Sequence, residues 1–209
     1  MLAAAASTPT VVIGHHDPAR EHDSVVDDDS AGAGLGVDHL VGLGHRRIAL
    51  VSAPGTRTSK WARTPEVVLT RGYRDAMRRH GLQDLAKVVT AGYSDDGGYQ
   101  AGRQLLGAAE PPTAILTGAD VAALGVYRAA HELGLRIPQD LSLVGYNNTA
   151  VAALTPVQPT SVDQAGHAMG STAARMLIER LEGRREQPMR TTMTPSRVVR
   201  RTTAPPVDL

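Results

Sequence analysis

The sequence predicts an α/β protein built on doubly wound parallel sheets. Apolar runs of strand length alternate with amphipathic stretches of helix length along most of the chain. The helix patterns are bounded by Pro at the start or Gly at the end. Strand, helix, strand, helix at this spacing is the pattern of right-handed βαβ units, whose strands run parallel.

In chain order, "TVVIG" (10–14) and "SVV" (24–26) read as short strands bracketing a His/Asp-rich loop, and "SAGAGLGVDHLVGLG" (30–44) as a helix despite its glycines. "RRIALVS" (46–52) is a strand. "PEVVLTRGYRDAMRRHGL" (65–82) is a helix, with Val68, Leu69, Tyr73, Ala76 and Met77 in phase on one face. "KVVTAG" (87–92) and "TAILTG" (113–118) are strands flanking a helix over 95–109. Asp120 caps the next helix, which buries Leu124, Tyr127, Ala130 and Leu133. Gly134 and Pro138 stop that helix ahead of the strand "LSLVGY" (141–146). A long helix over 163–183 keeps Met169, Ala173, Met176, Leu177 and Leu181 in phase, and a short strand and a Pro-rich tail follow it.

Composition narrows the function classes. With 42% hydrophobic residues but no Phe and one Trp among 209, the core must be aliphatic. A net charge of +1 gives no basic footprint that would demand nucleic acid as a partner of these residues. The absence of Cys removes disulfides, thiolate metal sites and cysteine catalysis, and fits a cytoplasmic location. No run reaches the ~20 apolar residues a membrane span needs, so no membrane partner is expected. The first residues lack the basic segment of a signal peptide.

In open α/β sheets ligands bind beyond the carboxyl ends of the strands. Those ends carry Ser52-Ala53-Pro54, Ala91-Gly92-Tyr93, Thr117-Gly118-Ala119-Asp120 and Tyr146-Asn147-Asn148. Carboxamides and a carboxylate beside an aromatic ring suit a sugar or nucleoside. Each residue also has a structural reading. Asn147 and Asn148 fit a turn, Asp120 a helix N-cap, and Tyr93 a cleft wall. Trp61, in a polar loop, fits a sugar platform or a surface contact.

The set His15, His16, Asp17, His22, Asp23 and Asp27 to Asp29 has metal-ligand chemistry, but not the i, i+4 pairing of the strong zinc motifs. It reads as a solvated loop, and no metal or cofactor is expected. "GAGLG" (32–36) falls short of a dinucleotide fingerprint, because Val37 stands where the third glycine belongs. No nucleophile elbow, phosphate loop or paired acid and base is present, so the chain is not expected to be an enzyme.

"VDHLVGLGHRRIALVS", "TRGYRDAMRRHGL", "TAILTGADVAALGVYRAAHELGLRIPQDLSLVGYNN" and "RMLIERLEG" run in this order along the chain. Together they resemble the effector-binding half of lactose-repressor-type (LacI/GalR) transcription regulators, over about residues 10–205. The resemblance implies a periplasmic-binding-protein-like fold with two α/β subdomains and a small effector between them. Its crossovers would fall near 43–46, 160–163 and 191–197. Residues 1–44 would be a remnant of the amino-terminal subdomain and 45–160 a complete carboxyl-terminal, effector-binding subdomain. Residues 161–190 would return to the first subdomain, and 191–209 would form the last crossover, strand and tail. The resemblance also implies a homodimer, and DNA contact through a headpiece that this polypeptide lacks.

The family's effector contacts map in part. Tyr93 matches an aromatic that packs on the ligand, and Arg63 a ligand-facing polar position. The family's Arg before the helix glycine is here Leu69, its Asn-Asp pair is Ala119-Asp120, and its carboxylate after Gly-Tyr is Asn147. Losing a carboxylate acceptor weakens hydrogen bonds to sugar hydroxyls. The expected effector is therefore a sugar or polyol, with altered anchors. Two rivals remain at this stage, an extracytoplasmic sugar-binding protein of similar fold and an enzyme on a doubly wound sheet.

Overall fold

The computed structural model describes residues 8–16, 22–55 and 64–207. Two sheets organise them. Strands β1 (Val11–Ile13), β2 (Asp23–Asp27) and β8 (Arg190–Met193) form a parallel three-stranded sheet in that order. The second sheet has six strands. They are β3 (Ile48–Ser52), β4 (Lys87–Thr90), β5 (Ala114–Thr117), β6 (Ser142–Tyr146), β7 (Thr160–Asp163) and β9 (Ser196–Val198), in the order β4-β3-β5-β6-β7-β9. All its pairs are parallel except β7 with β9.

Helices α1 (Asp29–Gly42) and α2 (Pro65–Arg79) cover one face of the larger sheet, and α3 (Asp95–Leu106) and α4 (Asp120–Glu132) the other. Ala33, Val37 and Leu40 of α1 join Leu69, Tyr73 and Met77 of α2 over Leu50, Leu116 and Val144. The opposite face packs Ala101 and Leu105 of α3 with Ala123 and Val126 of α4 over Val51, Ile115 and Leu143. The smaller sheet is covered by α6 (Gly166–Leu181), whose Met169, Ala173 and Met176 close on Val25. A short helix, α5 (Ala150–Leu154), follows β6.

Close helix contacts explain several glycines. A Cβ on Gly32 would meet the Tyr146 hydroxyl, so α1 sits directly on the end of β6. A Cβ on Gly125 would meet the Asp95 carbonyl oxygen, and one on Gly98 the Ala122 carbonyl oxygen, so α3 and α4 cross in backbone contact. Gly32 and Gly36 of "GAGLG" thus serve packing, a Cβ on Gly36 meeting the Leu116 side chain.

The resemblance assigns α1 to the amino-terminal unit, but α1 packs on the six-stranded sheet. The chain leaves the smaller sheet at the end of β2, and α1 already lies on the larger one. It returns after β7, which belongs to the larger sheet, and passes again between β8 and β9. β7 escaped the sequence reading because "TSVD" is mostly polar, yet Thr160 and Ser161 are fully buried. Their partners come from elsewhere. The Thr160 N–H donates to Thr202 Oγ1 at 2.9 Å, and Ser161 Oγ donates to Asp120 Oδ1 at 2.6 Å.

His45, between α1 and β3, is buried with both ring nitrogens engaged. Nδ1 lies 2.9 Å from Thr113 Oγ1, and Nε2 lies 2.9 Å from both Ser142 Oγ and the Ala204 carbonyl oxygen. Burial lowers its pKa below the usual 6.5, against the raising effect of the Ala204 carbonyl. The unfolded chain therefore binds this proton more readily than the folded one. The stability that neutral His45 contributes is full above pH 6.5 and is lost as pH falls through the lowered folded value. His45→Gln, which cannot take up the proton, should flatten the decline in melting temperature between pH 7.5 and 5. An unchanged slope would remove His45 as its source.

Candidate functional site

The carboxyl ends of β2, β3 and β6 carry a set of polar side chains at the first passage between sheets. β2 ends in Asp27, α1 begins with Asp29, and His16 follows β1. His16 Nε2 lies 2.9 Å from Asp29 Oδ2. Tyr146, last residue of β6, donates its hydroxyl to Asp29 Oδ1 at 3.3 Å. Asp28, the α1 N-cap, accepts from the Ala31 N–H at 2.9 Å, leaving its two neighbours to face inward.

Asp27 is 2% exposed, and its Oδ2 has no hydrogen-bond partner among the described residues. Burial, followed by the neighbouring Asp29 carboxylate, raises its pKa to about 7. Its carboxyl therefore keeps a proton to higher pH than an ordinary aspartate does, and in that form it can donate. Burial and the two aspartates push the Tyr146 phenol up, so it stays protonated as a donor.

Tyr93, beyond the end of β4, turns its hydroxyl toward Ser52 at the end of β3. The Ser52 side chain and the Ala53 backbone beside it favour its ionised form, and Thr70 Oγ1 donates to Ser52 Oγ at 3.2 Å. Burial raises the Tyr93 pKa, with smaller contributions from Glu66 and Asp29. The ring lies against Gly118, where a Cβ would strike it. Tyr93 and Tyr146 are near enough for each to bear on the same Asp29 charge.

Asn147 lines an open groove of about 700 Å³ with Asn148, Thr149, Asp163, Gln164 and His167. Its φ is 91°, and its N–H donates to the Val162 carbonyl oxygen at 2.8 Å. Asn148 is a turn residue. Its φ is 47°, its N–H donates to Ser161 Oγ at 3.1 Å, and its amide bridges Asp163 and Arg200. Asp120 is not a cap, because Ala119 holds the N-cap position of α4. Its Oδ2 accepts from the Thr149 N–H at 2.7 Å and Thr149 Oγ1 at 2.8 Å, and its Oδ1 accepts from Ser161 Oγ. It is 1% exposed and fixes the loop that presents Asn147. Arg63 and Trp61 lie outside the described residues.

The sequence reading of the His/Asp segment as solvated needs correction, since Asp23, Asp27 and Asp29 are each buried. It also missed Tyr146 as a site residue. The strand-end rule applied to "SVVD" would have singled out Asp27, as it singled out Tyr93.

A family model described as a periplasmic binding protein-like domain matches residues 37–203. The HTH-type transcriptional repressor PurR of Escherichia coli O1:K1 is 32% identical over 183 residues, 87% of this chain and 52% of the repressor. The chain thus spans about half the length of the curated relatives it matches. Among solved structures, a LacI transcriptional regulator from a Rhodococcus species superposes with a TM-score of 0.88 at 32% identity, covering 97% of this chain and 72% of that one. A LacI family transcriptional regulator from Enterococcus faecium with bound ribose gives 0.82 at 28% identity, covering 94% and 71%. Among the described residues, no helix is long and apolar enough to cross a membrane. With the ordered motifs, the two sheets and these likenesses in hand, the chain belongs to the LacI family of transcriptional regulators, and it corresponds to their effector-binding region.

Proposed function

We propose that this region takes up a sugar or related polyol where the strands end between the two sheets, and that the occupied state resets the geometry of a DNA-binding headpiece. The observation that carries this reading is the convergence of Tyr93, Ser52, Tyr146, Asp27 and Asp29, a set of hydroxyls and carboxyls beside aromatic faces. Such a set donates and accepts in the manner that vicinal hydroxyls require. The ribose in the Enterococcus relative supports the ligand class. Asn147 contributes a carboxamide from the adjoining groove, and Arg63 and Trp61, outside the described residues, are further candidate contacts. Asp120 acts by positioning Asn147. The three passages between the sheets form the hinge, and the effector shifts the balance between open and closed forms by binding one of them better.

The protein works as a cytoplasmic homodimer and binds without turnover. The exposed Val151 and Leu154 of α5, 41% and 83% accessible, support an interface between copies. Screening pentoses, hexoses and polyols by thermal shift tests the reading. At least one, with ribose tried first, should raise the melting temperature, and Tyr93→Ala or Asn147→Ala should abolish the rise. A rise unchanged in both variants would remove the proposed site.

A further inference from the structure

We infer that His16, Asp27 and Asp29 form a site for a divalent transition cation, with zinc as the best-fitting ion. The donor atoms of the three side chains lie within 4.8 Å of one another. That span needs only a modest contraction to reach the ~2.0–2.2 Å bonds that zinc makes with imidazole nitrogen and carboxylate oxygen. One imidazole and two carboxylates form a mixed nitrogen and oxygen set, which suits zinc better than the all-oxygen preference of calcium or magnesium. Two carboxylates also balance the ion's charge.

The independent observation is Asp27 Oδ2. It is buried, it belongs to a carboxylate that comes within 4.8 Å of the other two donors, and it has no hydrogen-bond partner among the described residues. A buried carboxylate oxygen in that condition costs free energy unless something occupies it. A cation bonded to Asp27, Asp29 and His16 satisfies it. Tyr146 then supplies the outer support, because its hydroxyl already holds Asp29 Oδ1, while Asp29 Oδ2 and His16 Nε2, now paired with each other, would turn to the ion. Three protein ligands leave a fourth position open.

The three ligands sit on three different pieces of structure, the loop after β1, the end of β2 and the first turn of α1. A bound ion would therefore tie the smaller sheet to the larger one at the first passage between them. Metal occupancy becomes a second input to the hinge, acting through two of the carboxylates that the sugar reading also uses.

The test uses the whole 209-residue chain, stripped with EDTA and dialysed, then titrated with Zn²⁺ against a chromogenic chelator. One equivalent should be taken up, with a rise in melting temperature that EDTA reverses. Asp27→Asn and His16→Gln should each weaken uptake at least tenfold, while His15→Gln should not. Co²⁺ should bind with visible absorption bands of a low-coordinate site, a signature that a variant's stability does not affect. Circular dichroism confirms that the variants are folded. Failure to take up Zn²⁺ or Co²⁺ overturns the site, and so does uptake that survives Asp27→Asn together with His16→Gln. A sugar-induced shift lost in Asp27→Asn, with no metal response in the native chain, would assign the free oxygen to the effector and overturn the cation reading.

Discussion

Arg185→Ala is expected to destabilise the protein by about 3–5 kcal/mol, the range for removing one partner of a buried ion pair. Asp23 opens β2 and is fully buried. Arg185 grips it with two parallel bonds, one guanidinium nitrogen to Oδ1 at 2.7 Å and the other to Oδ2 at 2.8 Å. The Met189 N–H donates to Oδ1 at 2.6 Å, and Arg180 stands 3.8 Å away. Burial is the largest influence on the Asp23 carboxyl and would raise its pKa. The donors from Arg185 and Met189 outweigh it, and the pKa is lowered. Without Arg185 the carboxylate stays buried with Arg180 as the remaining, distant cation among the described residues. Arg185 also donates to the carbonyl oxygens of Met176 and Gln187, so the end of α6 and the approach to β8 loosen together. Urea denaturation of the variant measures the loss, and adding Asp23→Asn should recover part of it. A loss under about 1 kcal/mol would show that the pair behaves as a surface contact.

The second large effect is expected at the α3–α4 crossing. Ala is ordinarily the better helix former by up to ~1 kcal/mol. At Gly125 the new methyl group would drive into the Asp95 carbonyl oxygen and come within 2.6 Å of the Tyr99 nitrogen. Both are backbone atoms of α3 and cannot rotate away. Overpacking of this kind costs about 1–3 kcal/mol, and rigid backbone on the far side puts Gly125→Ala at or above the upper end. Gly170→Ala, in α6 with nothing within 4 Å, is the control. It should be neutral or stabilising by the helix-propensity difference, and equal losses in the two variants would remove the steric explanation.

The elements legible in the sequence are those whose burial is expressed as apolar side chains. β3, β5 and β6 are short aliphatic runs, and α2 and α6 repeat apolar residues at helical spacing. β7 was not legible, because its burial is bought by hydrogen bonds to Asp120 and Thr202. α5 has five residues, too few to show a period. The contact face of α1 was not legible either, because Gly32 and Gly36 make part of it. Half of the candidate site followed from the strand-end rule, which reaches Tyr93, Ser52 and Asn147. The rest depends on pairs far apart in sequence. Tyr146 meets Asp29 across 117 positions, a separation that no local pattern encodes.

That separation has a consequence for the order in which the molecule assembles. The strands of the larger sheet from β3 to β7 are joined by short helical crossovers, so their pairings close modest loops. The smaller sheet pairs Ser24 with Arg190, and nearly the whole chain lies between them. Loop-closure entropy and contact order both delay such a pairing. The six-stranded unit should therefore condense first, and the three-stranded one should form on it last and open first. Late assembly would leave the passages between the sheets as the most pliable part of the native protein, at the place where a ligand can do most to choose its shape.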